Sequence, residues 1–164
     1  MAIAGAWWAG AAPLLGASTV ELACAVSSSD GTSEMTESII SGGMNALFDA
    51  GHVATDAASL MMDEAAWRNP SLGMAEARAG FVDFVLSFYI IYKASSVRSG
   101  KFMPSSVNYR LQRAADGKIL LDGSVATPPD TPDSFKNLEK FLRAIGTSMV
   151  KACLPALAGS GGKS

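Results

Sequence analysis

A long apolar and aromatic run at residues 81–93, FVDFVLSFYIIYK, constrains the fold more than any other part of the chain. Its Phe, Tyr, Val and Ile residues are typical of strands, and they occupy both of the faces that alternate along a strand. A strand that is apolar on both faces must be covered on both sides, and at least one side needs helices. The run therefore predicts the central strand of a sheet.

Alternating patterns predict further strands around this one. They occur at residues 19–26, 107–113 and 118–125, and a short strand is expected at 52–55. Residues 95–106 are polar and basic, and they contain Gly and Pro, so we expect a long loop there. The sheet should therefore have about five strands and be mixed, because some connections are hairpins and others pass through helices.

Apolar stripes at helical spacing predict the elements that cover the sheet. Helices are expected at 34–50 and at 132–154, with Pro155 ending the last one. Between them, 57–64 and 73–79 are expected to form one helical region that Asn69 and Pro70 interrupt. The order of elements is then βαβαβββα, and the predicted fold class is α+β, with helices packed on a mixed sheet.

The length and apolar content suit one compact domain. The chain has 164 residues, of which 49% are hydrophobic, and a chain of this size buries roughly 70% of its unfolded surface without help from metals or disulfides. We expect a single domain at 19–155, a signal segment at 1–18 and a flexible tail at 156–164.

Charge and composition exclude several classes of function. The first 67 residues carry eight acids and no base, but the bases that follow are interleaved with acids and form no run along which a phosphate backbone could lie. One histidine and two cysteines without a CxxC pair cannot build a structural zinc site. We therefore predict no nucleic-acid binding, no metal site and no cofactor.

The two cysteines, Cys24 and Cys153, lie in the first predicted strand and in the last predicted helix. If the chain is exported, a disulfide between them would close a loop of well over 100 residues and stabilise the domain by about 4 kcal/mol. Two separate buried thiols are the alternative.

The first 18 residues are apolar and small and carry no charged side chain. They resemble the hydrophobic and cleavage regions of a secretory signal, although no basic residue follows Met1. A buried N-terminal segment of a cytoplasmic domain remains an alternative. A permanent membrane span is disfavoured, because the uncharged stretch is broken by several glycines and Pro13. Leu22, Ala23 and Cys24 resemble a lipoprotein acylation motif, but Glu21 stands where that motif has Leu.

Three segments carry a resemblance to a known family: ESIISGGMNALFDAGHV at 37–53, AEARAGFVDFVLSFYIIYKASS at 75–96 and NYRLQRAADGKILLDGSV at 108–125. With their turn and packing residues, Ala79-Gly80, Asp83, Val85-Leu86 and Asp116-Gly117, they resemble the α/β domain shared by the amino-terminal part of TolB, the curli secretion lipoprotein CsgG and the penicillin-binding-protein activator LpoB. The resemblance covers about residues 19–154.

This resemblance implies a fold like the TolB amino-terminal domain and an exported protein, periplasmic or associated with the outer membrane. It also implies a non-enzymatic role in binding another envelope protein, in assembly, secretion or peptidoglycan synthesis. No functional residue carries over, because these relatives bind partners through different surfaces.

The best candidate contact surface is the basic region beside the central strand and the hairpin. A partner could bind there or at the edge of the sheet; charge that is merely solvated is the alternative. The candidate contact residues are Tyr92, Lys93, Arg98, Lys101, Tyr109, Arg110 and Arg113.

An enzymatic or ligand-binding site is the competing hypothesis, with Asp56, Asp63 and Glu64 as an acidic pocket. No recognisable set of nucleophile, base and oxyanion donors accompanies these acids. His52 and Asp56 are four residues apart in a predicted strand, which separates them by about 13 Å and excludes a catalytic pair. We therefore predict no catalytic residue.

Overall fold

The computed structural model describes residues 17–27 and 33–160. Within these residues six strands form one mixed sheet and five helices pack on it, which confirms the predicted α+β class. The strands are β1 (Thr19–Val26), β2 (Val53–Asp56), β3 (Leu60–Met61), β4 (Phe84–Ala94), β5 (Phe102–Arg113) and β6 (Ile119–Ala126). The helices are α1 (Ser33–Asp49), α2 (Glu64–Trp67), α3 (Met74–Ala79), α4 (Pro132–Lys136) and α5 (Leu138–Ser160).

The strand order is β2-β1-β4-β5-β6, and β3 pairs with the end of β1 on the same side as β2. β1 is parallel to β2, β3 and β4, whereas β4, β5 and β6 form an antiparallel meander. The predicted central strand is confirmed at β4, which begins at Phe84 rather than at Phe81.

α1 and α5 cover one face of the sheet and enclose the main core. Leu22 of β1, Phe88 of β4 and Leu111 of β5 face Ile145 and Met149 of α5 in one buried cluster. α5 is the one helix among the described residues that is long and apolar enough to cross a membrane by length and composition. Within the domain, 39% of this apolar stretch is buried.

The other face of the sheet is covered by α2, α3 and the segment between them. Trp67 packs beside Ala25 and Tyr89, and Met74 and Ala77 pack on Val85. Two small clusters therefore replace a continuous core on this side, and the second face is held partly by polar contacts.

Two predicted boundaries between the main elements are wrong. The helix expected at 57–64 is absent, because Leu60 and Met61 form β3 on Ala25 and Val26, and α2 begins only at Glu64. The loop expected at 95–106 is shorter, because β5 already begins at Phe102. Its Pro104 lies at a register shift opposite Tyr92 and precedes the part of β5 that pairs with β6, so its missing N–H costs little.

The last predicted helix, at 132–154, differs from the structure in two ways. It is divided at Asn137 into α4 and α5. α5 continues past Pro155 to Ser160, so the predicted end at Pro155 is wrong, and residues 156–160 of the predicted tail are helical. Leu157 is almost fully buried beyond the proline, and this packing offsets the lost backbone hydrogen bond. The rest of the predicted tail, at 161–164, and residues 1–16 of the predicted signal segment lie outside the described residues.

Of the two alternatives for the cysteines, the structure has the separate buried thiols, because Cys24 and Cys153 are both free. Both are buried in the main core, one on the sheet and one on α5. Burial raises the pKa of each thiol to about 12. Because disulfide exchange proceeds through the thiolate, this burial disfavours oxidation in the folded domain.

Candidate functional site

The residues predicted to form one contact surface are divided among the two faces and the two ends of the sheet. Tyr92 and Tyr109 are buried in the main core under the helices. The Tyr92 hydroxyl lies 3.2 Å from the Thr36 hydroxyl, and burial raises the pKa of Tyr92 to about 12. Both tyrosines are therefore packing residues, and their assignment to a contact surface is wrong.

Arg110 is also wrong as a surface contact, because its guanidinium is buried on the second face. It donates hydrogen bonds to Asp122 Oδ2 at 2.9 and 3.0 Å and to the Arg68 carbonyl oxygen at 2.9 Å. The guanidinium lies 5.3 Å from the centre of the Trp67 ring, which stacks on Tyr89. Arg110 thus attaches the α2 segment to the sheet.

Arg113 lies at the far end of the hairpin from the β4–β5 loop. Its Nε is 3.5 Å from Asp116 Oδ1, and both side chains are partly exposed. Lys93 is exposed near the end of β4. Only Arg98 and Lys101 of the predicted set lie together at one cavity.

That cavity is a groove of about 630 Å³ between the start of α1, the β4–β5 loop, α4 and the start of α5. We call it the groove throughout. Its rim carries charges of both signs, from Glu34, Arg98, Lys101 and Glu139. Its apolar lining consists of Met35, Phe102, Phe135, Leu138 and Leu142.

The rim charges are only partly engaged within the chain. Glu139 accepts from Arg143 at 2.9 Å, and the Arg98 guanidinium lies 5.3 Å from the centre of the Phe135 ring. Among the residues that the structure describes, no ion pair involves Glu34, Arg98 or Lys101. All three of these residues are exposed at the rim.

The β4–β5 loop is held in place by one carboxylate, that of Asp130. Asp130 accepts from the Ser95 hydroxyl at 2.6 Å, from the Ser96 hydroxyl at 2.9 Å and from the Ser96 amide at 3.0 Å. These bonds, those of Ser95 first, lower the pKa of Asp130. Ser95 also accepts from the amides of Val97 and Arg98, so the loop that carries Arg98 and Lys101 is fixed beside the groove.

Replacing Asp130 with Ala is expected to release this loop while the rest of the sheet keeps its protection. Amide hydrogen exchange should become at least about tenfold faster at Ser96, Val97 and Arg98, because the loop would open locally. Asp133→Ala is the matched control, since Asp133 is exposed and pairs only with Lys136. Equal protection of the loop in Asp130→Ala and the wild type would contradict the assigned role.

Acid should also release the β4–β5 loop, because protonation of Asp130 weakens the hydrogen bonds that hold it. Because the pKa of Asp130 is lowered in the folded state, its bonds are complete above the ordinary Asp value of 3.8 and are lost as the pH falls through the lowered pKa. Amide chemical shifts of Ser96 should therefore titrate with a midpoint below 3.8. A midpoint above that value would show that the carboxylate is not stabilised by the loop.

The three acids of the competing hypothesis do not converge. Asp56 pairs with Leu22 in the register and lines a shallow depression beside α1, on the helix-covered face. Asp63 caps α2 by accepting from the Ala66 amide at 2.7 Å. Glu64 pairs with Arg68 and accepts from Asn108 on the opposite face, so the predicted acidic pocket is not formed.

The single histidine and the edge of the sheet formed by β2 and β3 are weaker candidates for a binding site than the groove. His52 Nδ1 is 3.4 Å from the Ser18 amide, which leaves it in a backbone contact next to β2. β2 and β3 line one edge of the sheet with four and two residues. Edge strands this short give little length for adding a partner strand. The opposite edge is formed by β6, which is eight residues long.

The apolar lining of the groove was not predicted from the sequence. Met35, Phe102, Phe135 and Leu142 come from four separate elements, and each reads locally as an ordinary core residue. One element of the groove was predicted from the sequence: the helix that carries Phe135 begins at Pro132, as expected. Thr131 caps this helix by accepting from the Ser134 amide.

Comparison with known proteins gives a likeness of fold. No family model matches the chain, and no curated protein matches it. Among solved structures, two crystal forms of the PelC dodecamer from Paraburkholderia phytofirmans match with TM-scores of 0.52 and 0.51 and identities of 17% and 16%. In both, 87% of this chain is covered, with 90% and 89% of PelC.

TolB from Acinetobacter baumannii matches with a TM-score of 0.48 and 14% identity, over 87% of this chain and 29% of TolB. The LpoB C-terminal domain from Salmonella enterica matches with a TM-score of 0.43 and 15% identity, over 69% of this chain and 83% of that domain. Both proteins belong to the group that the sequence resembles, and at these identities the likeness concerns the fold alone.

Proposed function

We propose that this chain is a non-enzymatic protein-binding module of the bacterial cell envelope, and that the groove is where it binds another protein chain. The observation that carries the proposal is the groove itself, which combines an apolar lining with three rim charges, those of Glu34, Arg98 and Lys101, that form no ion pair among the described residues. Apolar pockets with a polar rim are the usual sites for side chains of a protein partner.

The proposed location is the periplasm, either free or associated with the outer membrane. It is supported by the uncharged apolar stretch at 1–18 and by the resemblance to TolB, CsgG and LpoB. The likeness to the PelC dodecamer supports binding within an assembly of several chains. Assembly, secretion and peptidoglycan synthesis are the processes that the resemblance implies.

Site-specific photo-crosslinking in the native host tests this proposal. The photoreactive residue p-benzoylphenylalanine would replace Lys101 at the rim of the groove and, as a matched control, the exposed Lys151 on α5. We expect a discrete adduct from position 101 and none from position 151, which lies roughly 14 Å further along the helix than the groove residues of α5. Absence of an adduct from position 101, or equal adducts from both positions, would reject the groove as the binding site.

A further inference from the structure

Phe81 is the most exposed large apolar side chain among the described residues, with 90% of its surface accessible. It also has a φ of +56°, in the left-handed region that favours glycine. It follows α3 at the position where helices commonly end with glycine, with the Phe81 amide bonded to the Arg78 carbonyl and the Val82 amide bonded to the Ala77 carbonyl. A phenylalanine there is strained and gains almost no packing within its own chain.

The backbone around Phe81 is firmly held. Asp83 Oδ2 accepts from the Thr19 amide at 2.8 Å, and the Ala114 amide donates to the Asp83 carbonyl at 2.9 Å. Arg78 Nε donates to the Ala114 carbonyl at 2.7 Å, which joins α3 to the hairpin turn. The ring of Phe81 is thus presented on a rigid base, as an anchor residue of an interface should be.

The site that fits this anchor lies at the other end of the same sheet. β4 runs from beside Phe81 to the β4–β5 loop over eleven residues, roughly 35 Å. The groove at that end contains two phenylalanine rings, Phe102 and Phe135, together with the guanidinium of Arg98. Aromatic rings and a guanidinium are favourable neighbours for another aromatic ring.

We propose that Phe81 of one copy of this chain inserts into the groove of a second copy. The proposal rests on the proposed function, and it names the partner of the groove. Because the two surfaces differ and lie at opposite ends, the contact is head-to-tail, and each added copy offers a new Phe81 or a new groove. Copies of this chain therefore join into a ring or an open chain.

Two variants of the full chain test the two sides of this contact, the Phe81 anchor and the groove, one at a time. Phe81→Gly removes the anchor and suits the positive φ, so the variant should unfold at a temperature equal to or above that of the wild type. Ser38→Trp fills the groove from α1 without removing a core side chain, and Ser148→Trp makes the same change on an exposed position of α5.

Sedimentation velocity over a range of concentrations measures the association. Wild type and Ser148→Trp should grow in mass with concentration, and self-association should be at least about tenfold weaker in Phe81→Gly and in Ser38→Trp. A mixture of Phe81→Gly and Ser38→Trp should form a 1:1 dimer that grows no further, because one variant keeps the groove and the other keeps Phe81.

A monomeric wild type, undiminished association of Phe81→Gly, or failure of the two variants to pair would overturn the proposal. Its failure is separable from that of the proposed function. A crosslink from position 101 to a different protein, with a monomeric wild type, would keep the groove as a binding site and reject the second copy as its occupant. A crosslinked product of twice the chain mass is the result that the proposal requires.

Discussion

Replacing Gly146 with Ala should destabilise the domain by about 3 kcal/mol or more. A Cβ at this position of α5 would overlap the Ile39 carbonyl oxygen and the Gly43 backbone nitrogen of α1. Backbone atoms of a helix cannot rotate away as a side chain can, so the two helices would have to separate. Since both cover the main core, their separation would loosen packing along the sheet. The free energy of unfolding in urea measures the effect.

Gly159→Ala is the matched control on the same helix. Nothing lies within 4 Å of a Cβ built at Gly159, and Ala is favoured over Gly in a helix by up to about 1 kcal/mol. This variant should therefore be as stable as the wild type or slightly more so. Gly42→Ala should resemble Gly146→Ala, because its Cβ would overlap the Arg143 carbonyl. Similar stabilities for Gly146→Ala and Gly159→Ala would show that α1 and α5 are further apart than described.

Replacing Arg110 with Ala should cost about 2 to 3 kcal/mol and loosen the second face of the sheet. The change removes bonds to Asp122 and the Arg68 carbonyl and the contact with the Trp67 ring. Asp122 is 40% exposed and can be rehydrated, so the cost should stay below that of breaking a fully buried ion pair. Urea unfolding gives the energy. Hydrogen exchange should accelerate first at the end of α2, at the amides of Trp67 and of Arg68, which directly follows the helix.

The same substitution at Arg113, in the same strand, is the control for Arg110. Arg113 and Asp116 are both partly exposed, and an ion pair of this kind contributes at most about 1 kcal/mol. Arg113→Ala should therefore leave exchange in α2 unchanged. If Arg110→Ala behaved in the same way, Arg110 would not be the attachment of α2. Loss of partner binding on reversing the charge of Arg110 would for this reason report unfolding of the second face rather than a contact.

The central strand could be predicted because the residues that identify it all lie within the strand itself. Both faces of β4 are apolar in the sequence itself. Tyr109 and Arg110 are adjacent in β5 and therefore face opposite sides of the sheet, although the sequence analysis assigned both to one contact surface. Which face the helices would cover is not local, so the sequence could not show that Tyr109 lies under α5 or that α2 lies over Arg110. β3 was missed for the same reason, since its pairing with the end of β1 overrides the helical pattern at 57–64.

The candidate site was predictable only in part. Arg98 and Lys101 stood out as exposed bases in a loop, and they do lie at the rim of the groove. Asp130 and Phe135 are more than 25 residues further along the chain, and only folding brings them to this loop. The end of α5 shows the same limit, because burial of Leu157 overrides the helix-breaking effect of Pro155.

The central claim, that the groove binds a protein chain, is tested most directly by crosslinking from position 101 with the groove filled. In cells that carry the crosslinker at this position, Ser38→Trp should abolish the adduct, and Ser148→Trp should leave its yield unchanged. This result would place the partner inside the groove. An adduct of equal yield in the Ser38→Trp background would contradict the account, because the partner would then contact the loop without entering the groove.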